Sequence, residues 1–298
     1  MSAEPQIIFT GASRRGWHRL QQALECLQKY AYTYGTNTHD GIVDREEDKK
    51  RPALLKGELM HLALAQHYAR IYAEQQGGSV SEFEDPKDAV VFMATHALKV
   101  PEYIDLICSV FDAYQAHYAH DHHRMKIVGV ERLFETTVRG KYLFTGRLDL
   151  IWRDDQDQVW ACDHKTTSRL TASHKQYYAA SGQLIGYQYL ARQEYPDLAG
   201  MKLNLIQVSE RPKFERITLP RAPNFEKQFE QTVVDAEEAI TRANDSGRGI
   251  HAWPKAMNEL TCFHRYGACK FMETCRWGAQ SGVAGNWSLA GDWRKKIE

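Results

Sequence analysis

Two aspartates and a lysine are spaced so that neighbouring strands would carry them to one spot: Gly146-Arg-Leu-Asp149, then Asp163-His-Lys165. Tyr142–Trp152 and Gln158–Thr166 both read as strands, and the polar run Asp154-Asp155-Gln156-Asp157 supplies the turn. A hairpin centred near Gln156 sets Asp149 opposite Asp163, with Cβ atoms roughly 4.5–5.5 Å apart. Like charges so placed repel unless a cation lies between them. Lys165, two residues past Asp163, points to the same face. Paired carboxylates hold hard divalent cations through oxygen. Such a cation acidifies a bound water and stabilises charge on a phosphate, and an ammonium alongside adds a point charge for the transition state. The constellation reads as a metal-and-lysine site for attacking a phosphodiester.

A second constellation lies near the C-terminus: Cys262-x6-Cys269-x5-Cys275, with Arg265, Lys270 and Arg276 among the thiols. Three cysteines in a stretch with little apolar period are hard to explain as core fillers and read as ligands. Of the other three, Cys108 and Cys162 fall on apolar faces, which leaves Cys26 as the fourth ligand. Four thiolates suit tetrahedral zinc or an iron–sulfur cluster. Structural zinc typically uses pairs spaced two to four apart. None occurs here, so a 4Fe-4S cluster is favoured over Zn²⁺, with His251 and His264 as reserve ligands for zinc.

The elements that must position these groups follow from hydrophobic period. Helical spacing runs from Trp17 to Tyr34, with Leu20, Leu24, Leu27, Ala31 and Tyr34 as one stripe and Cys26 on its flank. Thr36–Pro52 is charged and aperiodic. A helix over Gly57–Gln75 places His61 on the face of Gly57, Leu64, Tyr68 and Ile71, where it reads as a core histidine or an inward ligand. Helical regions at Lys87–Lys99 and from Pro101 to about His120 follow. The cluster His117, His120, His122 and His123 reads as a polar helix end rather than a metal site.

From Lys126 the period becomes that of strands. Lys126–Val138 and Tyr142–Trp152 flank the turn Arg139-Gly140-Lys141. Centring that turn on Gly140 sets Glu131 opposite Asp149, so three carboxylates cross the sheet; a one-residue slip would send one of them to the other face. Leu148, Leu150, Trp160 and Cys162 form the apolar reverse face. A helix over residues 173–195 carries Gln183 and Tyr187 four apart on one side. Strands Lys202–Ser209 and Phe214–Leu219 precede a helix over Asn224–Asn244. The class is α/β, a mixed sheet flanked by helices. Three segments divide one integrated domain: a mainly helical 1–125 with Cys26 and His61, a sheet core over 126–245, and the cysteine segment 246–298.

Lys+Arg and Asp+Glu number 38 each, so no global positive field announces a polyanion. Any nucleic-acid surface must be local, and Arg14, Arg15, Lys141, Arg147 and Arg169 are candidates to line it. No apolar run is long enough to span a bilayer, and Met1–Ile8 lacks a secretory h-region, so a cytoplasmic location is expected. In that compartment six cysteines do not make a disulfide scaffold.

Taken together the motifs resemble the RecB-like branch of the PD-(D/E)XK nuclease superfamily, and most of all the iron–sulfur exonucleases of CRISPR adaptation and their phage-borne relatives. In the family's order stand Cys26-Leu-Gln-Lys-Tyr30, Gly57-Glu-Leu-Met-His61, Gly146-Arg-Leu-Asp149, Asp163-His-Lys165-Thr-Thr, Gln183-Leu-Ile-Gly-Tyr187 and the cysteine triplet. The resemblance covers most of the chain. It implies a restriction-endonuclease-like core, with the cluster tying together the two ends of the chain. It also implies Mg²⁺- or Mn²⁺-dependent hydrolysis of DNA, often from single-stranded ends.

On that likeness His61 becomes a metal ligand with Asp149, Asp163 and the backbone carbonyl of His164. Gln183 and Tyr187 orient the scissile strand or support Lys165. The implied partner is DNA with single-stranded or duplex ends, in a bacterial, archaeal or phage-infected cell. A homo-oligomer, or partner proteins of recombination or CRISPR adaptation, remain open. Two departures stand out. Six residues separate Cys262 from Cys269 where relatives often have fewer, and Asp163 stands where many have glutamate. The rival readings are a non-catalytic nucleic-acid-binding module and a redox-sensing iron–sulfur protein. The intact Asp149, Asp163 and Lys165 argue against the first, and the lack of a G-x-G-x-x-G fingerprint against the second.

Overall fold

The structure, a computed structural model, describes residues 6–8, 10, 13, 15–37, 40–41, 51–219, 221, 224–264 and 267–277. Most of the charged segment before Pro52 lies outside them, as does Arg14. In chain order the elements are α1 (Trp17–Glu25), α2 (Leu27–Tyr34), α3 (Pro52–Gln75), α4 (Pro86–Phe92), α5 (Ile104–His117), α6 (Asp121–Arg124), β1 (Lys126–Val138), β2 (Tyr142–Arg153) and β3 (Val159–Thr167). Then come α7 (Ala172–Ala179), α8 (Gly182–Glu194), β4 (Leu198–Gln207), β5 (Phe214–Leu219), α9 (Phe225–Asp245), α10 (Glu259–Cys262), β6 (Phe263–His264), β7 (Gly267–Ala268) and α11 (Met272–Trp277). They fall into two compact units, Met1–Trp17 with Asp44–Gln231, and His18–Val43 with Thr232–Glu298. The segment borders drawn from the sequence at 125 and 245 fall inside these units.

The first unit is a mixed α/β fold built on a five-stranded sheet in the order β1-β2-β3-β4-β5. The β3–β4 pair is parallel and the others are antiparallel. Arg139 and Gly140 both take positive φ, 47° and 66°, which turns β1 tightly into β2. Between β2 and β3 the Asp154 carboxylate accepts the N–H groups of Gln156 and Gln158 at 3.0 and 2.9 Å, pinning the turn to its expected centre. A parallel β3–β4 pair needs a crossover, and α7 and α8 provide it. The sequence reads one helix over 173–195; the chain instead breaks at Ala180 and Ser181.

One face of the sheet, with Leu150, Trp152, Cys162 and Ile206, packs on α3 and α5 through Leu59, Met60, Leu64, Ile107 and Phe111, all essentially inaccessible. α3 opens on Pro52, whose fixed φ suits the first helical position. The other face receives α8 at very short range. A Cβ at Gly186 would lie 2.9 Å from the rings of both Phe144 and Phe229, so only glycine lets the helix come this close.

The second unit joins sequence from both ends of the chain: α1 beyond Trp17, α2, the later turns of α9, and the cysteine segment. Arg19, buried, pairs with Glu237 and donates to Tyr30 Oη at 2.9 Å. Gln28 donates its amide N–H to Ile250 O at 2.6 Å, and Trp253 stacks on Tyr30 with ring centroids 6.0 Å apart. The single helix expected from Trp17 to Tyr34 breaks at Cys26, which takes an extended conformation and caps α2. The break rotates the expected stripe: Leu24 is exposed, while Gln28 and Tyr32 are buried. No helix among the described residues is long and apolar enough to cross a membrane.

Candidate active site

The β2–β3 ladder runs from Arg153–Val159 to Leu150–Cys162. One step further Asp149 would meet Asp163. There the strands part, and Asp149 Oδ2 accepts the backbone N–H of His164 at 2.6 Å. Into this fork α3 delivers His61, whose Nδ1 lies 3.5 Å from Asp149 Oδ2. From β1 comes Glu131. The pairs Val130–Leu150 and Arg132–Leu148 leave it facing Asp149, with φ at +47°. Its carbonyl accepts from Arg147 at 3.3 Å. One ligand atom each from His61, Glu131 and Asp149 lie within 4.8 Å of one another. Asp163 stands beside this trio, its Oδ2 2.6 Å from Lys165 Nζ. On α8, Gln183 donates to Tyr187 Oη at 2.9 Å.

The side chain of His164 turns to the opposite face of the strand, as alternation requires. It stacks on Tyr68, and its Nδ1 lies 2.8 Å from Asn204 Nδ2. Asn204 also donates to Tyr114 Oη at 2.8 Å, and Tyr114 belongs to a network with Tyr68, Asp121 and Arg216. The His164 ring also stands edge-on to that of His61, 6.0 Å between centroids, while its main-chain N–H is the group that meets the Asp149 carboxylate.

Electrostatically the fork is short of positive charge. Burial, reinforced by Asp149 and only partly offset by Arg147, lifts the Glu131 carboxyl to about 9. Burial likewise raises Asp149 and Asp163 to about 6 against the pull of Lys165. Burial holds His61 down to about 4, so its imidazole is neutral, with a lone pair to give. Burial also works to lower Lys165, but Asp163 and Asp149 outweigh it and keep the ammonium charged. The carboxylates of Glu131 and Asp149 and the neutral imidazole of His61 form a candidate donor set for a divalent cation, with Asp163 alongside. The oxygens suit Mg²⁺ or Mn²⁺, and the nitrogen shifts the balance toward the transition metal.

In the second unit Cys26, Cys262, Cys269 and Cys275, all free thiols, line one cavity of about 390 Å³. Each reaches it by a different local device. Cys26 caps α2 in extended form, Cys269 N–H donates to Cys262 O at 2.7 Å across the β6–β7 hairpin, and Cys275 sits in α11. The soft sulfur set fits a thiolate-ligated iron–sulfur cluster or zinc. His251, the reserve ligand, is held by Tyr32 Oη at 3.2 Å from its Nδ1. The side chain of His264 and all of Arg265 lie outside the described residues. Cys162 is buried, and Cys108 packs partly buried against the same core. At the polar end expected beyond α5, His122 pairs with Glu74 at 3.4 Å.

The residue that sequence reasoning left at the margin is Glu131. Its register could be read from the turn at Gly140, but its positive φ could not. A model of the PD-(D/E)XK nuclease superfamily matches residues 17–276, and the chain belongs to that superfamily. Among solved structures, a provisionally named exonuclease from Eubacterium rectale is similar at 14% identity over 87% of this chain and 96% of that one, with a TM-score of 0.46. The protein SSO0001 is similar at 16% identity over 63% and 86%, with a TM-score of 0.30. No curated protein matches the chain in sequence.

Proposed function

We propose that this nuclease-superfamily chain is a Mg²⁺- or Mn²⁺-dependent deoxyribonuclease of the RecB-like branch, degrading DNA from its ends and single-stranded ends above all. The observation that carries this reading is the fork itself: His61, Glu131 and Asp149 within 4.8 Å of one another, with the Asp163–Lys165 pair alongside. His61 Nδ1 and the carboxylates of Glu131 and Asp149 would hold the cation, with Asp163 and the His164 carbonyl as further oxygens. When bound, the cation supplies an acidified water and a counter-charge for the phosphate.

The chain's own groups do the rest. Lys165, fixed by Asp163 and charged throughout the neutral range, donates to the attacking water or to the developing oxyanion. Tyr187 Oη accepts from Gln183, which leaves its own proton free to donate to a phosphate oxygen. In the second unit we assign Cys26, Cys262, Cys269 and Cys275 to a 4Fe-4S cluster that joins the chain's two ends. DNA recombination, repair or spacer processing are the settings that suit such an enzyme.

The test is incubation of purified protein with end-labelled single- and double-stranded DNA in Mn²⁺, Mg²⁺ or EDTA. Release of nucleotides from the labelled end in Mn²⁺ but not in EDTA is expected. DNA that is bound yet left intact would point to a binding module on a nuclease scaffold.

A further inference from the structure

A cavity of about 240 Å³ opens where β3 leaves the sheet, between the start of α3 and the residues that follow Lys165. Its polar lining comes from Lys56 and the hydroxyl residues Thr166, Thr167 and Ser168, with Pro52, Ala53 and Val208 in its apolar wall. No carboxylate lines it among the described residues. A water's share of liquid volume is about 30 Å³, so the space admits a phosphodiester group with room to spare.

The polar groups are available. Thr167 Oγ1 donates to Arg169 O at 3.1 Å, whereas the side-chain hydroxyls of Thr166 and Ser168 make no hydrogen bond among the described residues. Lys56 Nζ rests 4.9 Å from the Tyr103 ring centroid, a contact that steadies the side chain without neutralising its charge. The positive end of the α3 dipole adds to the same field.

Position ties the cavity to the fork. Gly57, one turn before His61 on α3, packs so tightly on β3 that a Cβ would lie 2.9 Å from Thr166 Oγ1. Thr166 directly follows Lys165 but faces the other side of the strand, toward α3. The cavity is therefore about one helical turn (~5.4 Å) along the helix from His61 and one strand step (~3.3 Å) from Lys165. A polynucleotide gripped at one phosphate by the fork would bring a neighbouring phosphate here.

We propose that this cavity is a phosphate subsite in which Lys56, Thr166 and Ser168 hold a linkage adjacent to the one being cleaved. The proposal rests on the nuclease reading above. It is tested with fluorescein-labelled single-stranded oligonucleotides carrying one uncharged methylphosphonate at successive linkages. Binding by anisotropy in EDTA and cleavage in Mn²⁺ are measured in parallel for the wild-type chain and for Lys56→Met, Ser168→Ala and Thr166→Val.

In the wild type, neutralising one linkage next to the scissile one should weaken binding and raise KM roughly tenfold with kcat little changed. Lys56→Met should show that loss on native DNA, suffer no further loss from the neutral linkage, and flatten the log Kd–log salt slope by about 0.7. Ser168→Ala, at an exposed position that folding does not need, should show a smaller change of the same kind. Equal binding by all variants, or a methylphosphonate penalty that persists undiminished in Lys56→Met, overturns the subsite. Absence of cleavage by the wild type overturns the nuclease reading instead, and the anisotropy data still decide the subsite.

Discussion

Glu131 and Asp149 face each other across β1 and β2, and Glu131 holds that position with a φ of +47° that a non-glycine residue adopts only under constraint. Such strain clusters at functional sites. Here it brings a third carboxylate to the fork. Without a cation the group is unhappy in its ionised form, which gives it a signature in stability.

The Glu131 carboxyl is raised to about 9 from an ordinary 4.5, first by burial and then by Asp149. A folded-state pKa above the unfolded one favours the fold at low pH and ceases to do so as pH climbs through it. In EDTA the melting temperature should therefore fall between pH 6.5 and 9. Below that window His61 and His67, both held down to about 4 by burial, act in the opposite sense as they charge. Glu131→Gln should flatten the decline and raise Tm at pH 8 by a few degrees, on the order of 1–3 kcal/mol. Mn²⁺ should stabilise the wild type and have little effect on the variant. Calorimetry in EDTA and in Mn²⁺ across this range checks it; a Tm that rises with pH in EDTA would remove the basis for the assignment.

The two aspartates should behave differently when replaced. Asp149→Asn keeps an oxygen to accept the His164 N–H, so the fold should survive at or above wild-type stability while cleavage is lost. Asp163→Ala removes the nearer of the two carboxylates that hold the half-buried Lys165 ammonium, so it should lower Tm where Asp149→Asn does not. Lys165→Ala should lower kcat by roughly 10²–10³. Lys165→Arg should not restore it, since a planar fork cannot stand in for a point charge at 2.6 Å from Asp163. Paired Tm and cleavage measurements separate these outcomes. A fully active Lys165→Ala would end the site assignment.

Gly146 opens the Gly146-Arg-Leu-Asp149 motif for a packing reason. A Cβ there would lie 2.5 Å from Leu190 Cδ1 and 3.0 Å from the ring of Tyr187. Gly146→Ala should therefore displace α8 and the Gln183–Tyr187 pair. The expected result is a loss of kcat greater than that of Tyr187→Phe, which removes only the hydroxyl. If Gly146→Ala cleaves like wild type, Tyr187 has no positional role in the reaction.

Much of this geometry was legible in the sequence because turns fix register. Asp154 and Gly140 set the centres of two hairpins, and from those centres the facing of Glu131, Asp149 and Asp163 follows by counting. What could not be counted was the parting of β2 from β3, since it depends on Asp149 taking a main-chain N–H in place of a strand partner. The helix break at Cys26 was hidden, since no proline or glycine marks it and apolar spacing runs through it. The apolar stripe drawn through Leu24 failed for the same reason. At Ala180–Ser181 the Ser181-Gly182 pair does mark a turn, but the apolar spacing on either side masked it.

The break at Cys26 has its own consequence. Four thiols line one cavity of about 390 Å³, and Cys26 joins it from the extended residue between α1 and α2. Filling that cavity with a 4Fe-4S cluster would cross-link residues near both ends of the chain and close a loop whose entropy is otherwise lost on folding. Protein purified without oxygen should be brown and contain iron and sulfide. Cys26→Ala and Cys269→Ala should each bleach it, lower its solubility and lower Tm, with a larger effect on stability than on the per-molecule rate of whatever remains folded. Metal analysis decides the ligand. Stoichiometric zinc in a colourless, anaerobically prepared sample would reassign the cavity to a tetrahedral zinc site and leave the nuclease fork untouched, because the fork's ligands all belong to the first unit.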